Sequence, residues 1–134
     1  FSHSIGQNWY HVVLIPRMRY PLFKQAHQRE LALQAIDWIC IRHKIDLFTK
    51  DVMEDHVHLF VSCPPDYSIR KMIQIIKGGT SFYIRTNHPS LQKYKALWSK
   101  GYMYRSVGHV TAETVRKYID ESNKWIGGTQ KTLA

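Results

Sequence analysis

Acidic residues are scarce in this chain, which has 10 Asp and Glu against 19 Lys and Arg in 134 residues. The formal charge of +9 and the pI near 9.7 have the sign expected of a protein that binds phosphates. An anionic membrane surface fits less well, because the basic residues are interleaved with Tyr and Trp instead of lying on one amphipathic helix. Nucleic acid is therefore the favoured partner.

Cysteines and long hydrophobic runs are also rare. Cys40 and Cys63 stand far apart without Cys-x-x-Cys spacing, so we interpret them as reduced structural thiols of a cytosolic protein. No apolar run approaches the roughly 18 residues of a membrane span, which predicts a soluble protein without membrane contact. The 44% hydrophobic content instead predicts one folded domain over 1–134, with its core at about 10–126.

The strongest chemical signal is a His-Val-His sequence inside an apolar run. Side chains alternate between the faces of a strand, so His56 and His58 share one face and Val57 points to the other. Two adjacent neutral imidazoles can chelate a divalent ion, but a half-buried strand with a polar outer face has the same pattern. A histidine-triad hydrolase needs a third His where Phe60 stands, and a cupin would be all-β. Both of these classes fit poorly.

The periodicity of apolar residues predicts an α+β fold. The predicted elements are a strand at 10–15, a helix at 23–44, two strands joined by a tight turn between 45 and 62, a helix from the Ser68 cap to before Pro89, a strand at 101–107, and a helix from the Thr111 cap to Gly127-Gly128. This order is typical of a ferredoxin-like split βαβ domain, an antiparallel sheet with both crossover helices on one face, here with an additional C-terminal helix that carries Tyr118. His56 and His58 should then face the opposite side of the sheet, where a ligand can reach them.

Two further positions are unusual in their helices. Gly78 and Gly79 each cost about 1 kcal/mol relative to Ala inside a helix, so we predict that they mark close approach of another backbone or of DNA, or a kink. Tyr118 lies at the edge of the packing stripe of the last helix. On the helix pattern alone, that position fits an ordinary packing residue with a hydrated hydroxyl group.

Several blocks of the sequence resemble those of the TnpA-type transposases, the single-tyrosine HUH endonucleases, in which two His flank a hydrophobic residue. The blocks are residues 55–59, Pro64-Pro65, Lys77-Gly78, 97–102, 106–108 and 113–119, and the resemblance runs from about 10 to 125. It implies a small transposase that cleaves and rejoins single-stranded DNA at insertion-sequence ends and recognises hairpins near those ends. It also implies a homodimer in which the tyrosine helix of one subunit completes the site of the other.

The resemblance assigns a role to each candidate catalytic residue. Tyr118 would be the nucleophile, giving a 5′-phosphotyrosine and a free 3′-hydroxyl. His56 and His58 would hold a divalent metal ion, Mg²⁺ or Mn²⁺, that polarises the phosphate. A phosphotyrosine conserves the energy of the phosphodiester, so rejoining needs no nucleotide cofactor.

The third metal ligand departs from the family pattern. Members of the family carry Gln one helical turn after the tyrosine, where this chain has Ser122, a poorer ligand. We predict Glu121 as the ligand instead, because its carboxylate suits either ion, although it points about 60° from Tyr118 around the helix. Asn123 and Asp55 are weaker substitutes, and Asp55 is expected to shape the turn or to support a His.

Five basic side chains are predicted to contact DNA, although each one singly also fits a solvated surface charge: Arg17, Arg19, Arg70, Lys77 and Arg105. The alternative function is a catalytically inactive domain of the same fold that binds single-stranded DNA or an RNA hairpin, for which the missing Gln is the best argument. An initiator or relaxase-like HUH nuclease is a third interpretation, which the short chain without a helicase domain opposes. The expected location is the cytoplasm of a prokaryote, in association with the nucleoid.

Overall fold

A computed structural model describes residues 9–108 and 110–133, with side chains described as far as Lys124. Its elements are β1 (Trp9–Leu14), α1 (Ala26–Arg42), β2 (Asp46–Val52), β3 (Val57–Ser62), α2 (Ile69–Asn87), β4 (Met103–Val107) and α3 (Ala112–Leu133), with short 3₁₀ turns at Arg17–Arg19 and Pro89–Leu91. None of the helices in these two ranges is long and apolar enough to cross a membrane.

The four strands form one antiparallel sheet in the order β2-β3-β1-β4. The first and third strands are therefore central, and the connections through α1 and α2 complete the split βαβ arrangement. The predicted ferredoxin-like fold is confirmed.

Alternation along the strands gives the sheet two different buried faces. One face packs on α1 and α2 to form the main core. Its buried members include Val12, Leu14, Val57, Leu59 and Val61 from the strands, Ala35, Ile36 and Ile39 from α1, and Met72, Ile73 and Ile76 from α2. The opposite face carries a smaller cluster of Trp9, Phe60 and Val107 that packs against Val115, Tyr118 and Ile119 of α3. All six residues of β3 are buried as a result.

Side-chain caps fix the starts of the last two helices where the sequence predicts them. The Ser68 hydroxyl accepts a hydrogen bond from the Lys71 backbone N–H at 3.1 Å, and the Thr111 hydroxyl accepts one from the Thr114 backbone N–H at 3.1 Å. Each cap satisfies an N–H group that has no partner within the helix.

The predicted end of the last helix is wrong. The sequence predicts an end at Gly127-Gly128, but α3 continues to Leu133. Glycine lowers helix stability by about 1 kcal/mol per residue without removing a backbone hydrogen bond, so a pair of glycines can be accommodated within a helix. The first helix also starts later than predicted, at Ala26.

Helices α1 and α2 approach each other closely at Gly79. A Cβ atom added there would collide with the Ile39 side chain of α1, whereas a Cβ atom at Gly78 would meet nothing within 4 Å. Gly79 does mark a close approach, but its neighbour is a side chain of another helix and not the backbone or DNA that the sequence predicts. Gly78 faces open space instead.

We therefore expect Gly78→Ala and Gly79→Ala to change the free energy of unfolding in opposite directions. Gly78→Ala should raise it by up to about 1 kcal/mol, because Ala is the better helix former. Gly79→Ala should lower it by roughly 1–2 kcal/mol, because the added methyl group displaces Ile39 within the core. Urea denaturation of both variants measures this, and equal stabilisation by the two substitutions would contradict the close helix packing.

The two thiols are free, as predicted. Cys40 is buried in α1, and its burial raises the pKa of the thiol to about 12. Cys63 follows β3 and is half-buried. Neither thiol is in the electropositive, accessible setting that makes a cysteine reactive.

Candidate active site

His56 and His58 lie side by side between the sheet and α3. His58 belongs to β3 and is 0% exposed, while His56 directly precedes the strand and is 7% exposed. Their ring centroids are 4.9 Å apart and the ring planes are nearly perpendicular. The pair faces away from α1 and α2 as predicted, but this face of the sheet is not open, because α3 covers it.

One oxygen atom from α3 contacts both imidazoles. Asn123 Oδ1 lies 2.9 Å from His56 Nε2 and 3.1 Å from His58 Nε2. The two ring nitrogens and the amide oxygen therefore converge on a single point. Imidazole nitrogen and amide carbonyl oxygen are both atom types that ligate divalent ions in proteins.

The structure does not bring Glu121 to this point. Glu121 Oε2 accepts a hydrogen bond from Arg105 Nη2 at 3.0 Å, in an ion pair whose two side chains are nearly half exposed. Ser122 lines a neighbouring cavity of about 280 Å³ together with His11 and Arg105. Within the described part of the chain, no three His, Cys, Asp or Glu side chains are grouped closely enough to hold a metal ion.

Helix geometry explains why Asn123 reaches the histidines and Glu121 does not. At about 100° per residue, Tyr118 lies about 60° to one side of Val115 and Asn123 about 80° to the other side, so both flank the stripe that packs on the sheet. Glu121 is about 120° from Val115 on the Tyr118 side, where it pairs with Arg105 instead of reaching the histidines. Asn123 lies about 140° from Tyr118 around the helix, so a search for ligands near the tyrosine direction does not find it.

Tyr118 contacts the sheet beside β4. Its half-buried ring packs in the small cluster under α3, and the guanidinium carbon of Arg105 lies 3.9 Å from the ring centroid. The His11 ring centroid is 6.2 Å from that of Tyr118 and 5.2 Å from that of His58. Tyr118 and Asn123 thus reach the same face of the sheet from one helix, on the same chain as His56 and His58.

The site contains a third histidine that was not predicted from the sequence. His11 on β1 is 2% exposed, and its Nε2 lies 3.0 Å from His58 Nδ1. Burial lowers the pKa of His11 to about 3 and that of His58 to about 4, so both rings are neutral near pH 7. The pairing of β1 with β3 brings them together, and a linear sequence gives no direct sign of that register.

Asp55 connects the site to the loop after β1. Its Oδ1 lies 2.8 Å from His56 Nδ1, and its Oδ2 accepts a hydrogen bond from Arg19 Nε at 2.8 Å. Partial burial acts to raise the pKa of Asp55, but the hydrogen bonds from His56 and Arg19 hold it below the ordinary value. An ionised carboxylate can only accept, so His56 Nδ1 carries a proton and, in the neutral ring, Nε2 presents its lone pair to Asn123. This geometry agrees with the expected support of a His by Asp55.

The five predicted DNA contacts fall into two groups. Arg17 and Arg70 are exposed at the protein surface. Arg19 and Arg105 make the ion pairs described above. Lys77 donates to the backbone carbonyls of residues 99, 100 and 101, at 2.6, 3.2 and 3.2 Å, and its partial burial lowers the pKa of the ammonium group. Three of the five side chains therefore hold parts of the protein together.

Comparison with known families decides the classification. Residues 4–122 match the protein family described as "Transposase IS200 like". The chain belongs to the IS200-like transposase family. The match covers nearly all of the described fold, including β3 and most of the described side chains of α3, and it confirms the family resemblance of the sequence blocks.

Two bacterial transposases are similar in sequence. The ISDra2 transposase TnpA of Deinococcus radiodurans is 27% identical over 88 residues, which cover 63% of this chain and 63% of that relative. The transposase for insertion sequence element IS200 of Salmonella typhimurium is 26% identical over 121 residues, which cover 88% of this chain and 78% of that relative. The matched region thus spans less than two thirds of the ISDra2 relative.

Two solved structures share the fold of this IS200-like protein. A crystal structure of a candidate transposase from Deinococcus radiodurans r1 superposes with a TM-score of 0.70 at 19% identity, covering 90% of this chain and 95% of that one. A REP-associated tyrosine transposase bound to a REP hairpin superposes with a TM-score of 0.58 at 16% identity, covering 90% and 66%. At these identities the likeness establishes the common fold.

Proposed function

We propose that this protein is a transposase that cleaves and rejoins single-stranded DNA at insertion-sequence ends through a 5′-phosphotyrosine at Tyr118. The observation that carries the proposal is the convergence of two imidazole nitrogens and one amide oxygen beside a tyrosine on the same sheet face. Membership in the IS200-like transposase family supports it. The basic charge of the chain suits a nucleic-acid substrate. The family resemblance, not the charge, is the reason to propose hairpins near the cleavage sites.

The atoms of the site fit a divalent ion. Asp55 fixes the proton of His56 on Nδ1, so His56 Nε2 and Asn123 Oδ1 turn lone pairs toward each other at 2.9 Å. Two lone pairs at that distance need a proton or a cation between them. We propose His56, His58 and Asn123 as the ligands of Mg²⁺ or Mn²⁺, with Asn123 in place of Glu121. When bound, the ion would polarise the scissile phosphate.

The proposed covalent step needs no external energy source. The Tyr118 hydroxyl oxygen attacks the phosphorus, the bond from phosphorus to the 3′-oxygen breaks, and a phosphotyrosine ester replaces the phosphodiester. The phenol loses one proton and the departing 3′-oxygen gains one, so charge and protons balance. Attack by a free 3′-hydroxyl on the phosphotyrosine reverses the step and rejoins DNA. Arg105, at the Tyr118 ring, supplies positive charge beside the reacting phosphate.

We expect Tyr118→Phe to abolish the covalent adduct, reducing its formation by at least about 10³-fold, because the variant lacks the nucleophile. Packing and non-covalent DNA binding should persist, since the ring remains. Labelled oligonucleotides carrying the element ends, incubated with Mn²⁺ and read on a denaturing gel, measure the adduct, and EDTA should remove the band. A protein-linked band that persists in Tyr118→Phe would rule out Tyr118.

An inactive domain that binds single-stranded DNA or an RNA hairpin is the second candidate function. The observation in its favour is Ser122, which stands where the family resemblance places a Gln ligand. Such a domain would bind the oligonucleotides equally well with and without EDTA and would never form the adduct. The same gel and a parallel binding measurement therefore separate the two functions.

The proposed ligand set predicts different effects for two neighbouring positions on α3. Asn123→Ala should weaken Mn²⁺ binding at least about 10-fold, because it removes the oxygen shared by the two imidazoles. Glu121→Gln is the matched control and should change the affinity less than about 3-fold, because it alters only an exposed ion pair. Titration of free Mn²⁺ by electron paramagnetic resonance measures both. The opposite ranking would restore Glu121 as the ligand.

A further inference from the structure

We infer that His11 is a positioning residue of the proposed metal site, accepting the Nδ1–H of His58 and so holding His58 in the tautomer whose Nε2 is free to bind metal. The inference rests on the proposed function, because it concerns the same site. It adds a buried group from a different strand, which contributes no ligand atom of its own.

The contact between His11 and His58 is specific in geometry. His11 lies opposite Phe60 in the pairing of β1 with β3, so His58 is its diagonal neighbour, two residues along the partner strand. His11 Nε2 is 3.0 Å from His58 Nδ1, while the Phe60 ring lies parallel to His11 with centroids 4.5 Å apart. The stacking holds the His11 ring, and any aromatic residue could provide it. The nitrogen contact requires a group that can accept or donate a hydrogen bond.

The pair of neutral imidazoles has two consistent proton arrangements. In one, His58 Nδ1–H donates to His11 Nε2, which leaves the lone pair of His58 Nε2 directed at the metal position. In the other, His11 Nε2–H donates to His58 Nδ1, and His58 Nε2–H then donates to Asn123 Oδ1. The first arrangement is the one that can bind a cation. His11 makes it accessible because a fully buried Nδ1–H needs an acceptor inside the protein.

Each histidine of the motif thus has its own partner on Nδ1. Asp55 contacts Nδ1 of His56, and His11 contacts Nδ1 of His58. The two partners differ in kind, because an ionised carboxylate accepts only, whereas a neutral imidazole accepts in one tautomer and donates in the other. His11 therefore lets His58 bond to Asn123 without metal and to the ion with metal, and it adds no charge to the site. Outer partners of this kind orient metal-binding histidines in general.

The test compares the full chain with His11→Phe and His11→Gln by Mn²⁺ titration. His11→Phe keeps an aromatic ring on Phe60 but removes the acceptor, so Mn²⁺ affinity should fall about 10- to 100-fold. His11→Gln supplies an amide oxygen as acceptor and should recover binding to within about 3-fold of wild type. Wild-type affinity in His11→Phe would overturn the inference, as would binding by His11→Gln that is as weak as in His11→Phe.

A measurement on the wild type removes any dependence on how the variants fold. Imidazole ¹⁵N chemical shifts with saturating Mg²⁺ should show the proton of His58 on Nδ1 and His11 Nε2 unprotonated. A proton on His11 Nε2 in the Mg²⁺-bound protein would overturn the inference. A wild type that binds neither Mn²⁺ nor Mg²⁺ would overturn the proposed metal site itself and this inference with it, whereas equal binding by wild type and His11→Phe overturns only the role of His11.

Discussion

The alternation of side chains along β3 is the constraint on which the rest of the structure depends. This strand is central and buried on both faces, so Val57, Leu59 and Val61 must fill the core under α1 and α2. His58 and Phe60 are then directed to the other face, where α3 covers them. A fully buried imidazole needs partners for both nitrogens, and His58 finds them in His11 and Asn123.

These contacts belong to a continuous chain of hydrogen-bonding side chains that crosses the molecule. It runs from Arg19 to Asp55 and His56, then through Asn123 to His58 and His11. Asn123 is the one member contributed by α3, and it joins the two histidines. The position of α3 therefore depends on this polar contact as well as on the small apolar cluster around Trp9 and Phe60. Because Asn123 and Tyr118 are both on α3, a movement of this helix would separate both of them from the histidines at once.

The placement of α3 also bears on the expected homodimer. In this structure α3 covers the sheet of its own chain, so Asn123 and the two histidines meet within one protomer. The family resemblance implies that the tyrosine helix of one subunit completes the site of the other subunit. The sheet would present the same side chains to a helix of either origin. The homodimer remains a prediction.

Local rules account for much of what the sequence predicts correctly. Apolar periodicity and the caps at Ser68 and Thr111 give the element order, and the element order gives the fold. Together they also predict that His56 and His58 lie on the sheet face away from α1 and α2. The errors at the candidate site involve long-range geometry. His11 enters the site through strand register, and Asn123 through the docking of α3. In the sequence, Arg19 and Lys77 cannot be distinguished from solvated surface charges. Only the structure shows that Arg19 pairs with Asp55 and that Lys77 donates to backbone carbonyls.

The central claim is that His56, His58 and Asn123 form one metal site on the face of the sheet opposite the main core. Crystals soaked in Mn²⁺ and measured for anomalous scattering test it most directly. The account predicts one anomalous peak within coordination distance of His56 Nε2, His58 Nε2 and Asn123 Oδ1, with Glu121 outside that distance. A peak coordinated by Glu121, or the absence of a peak between the two histidines at saturating Mn²⁺, would contradict it.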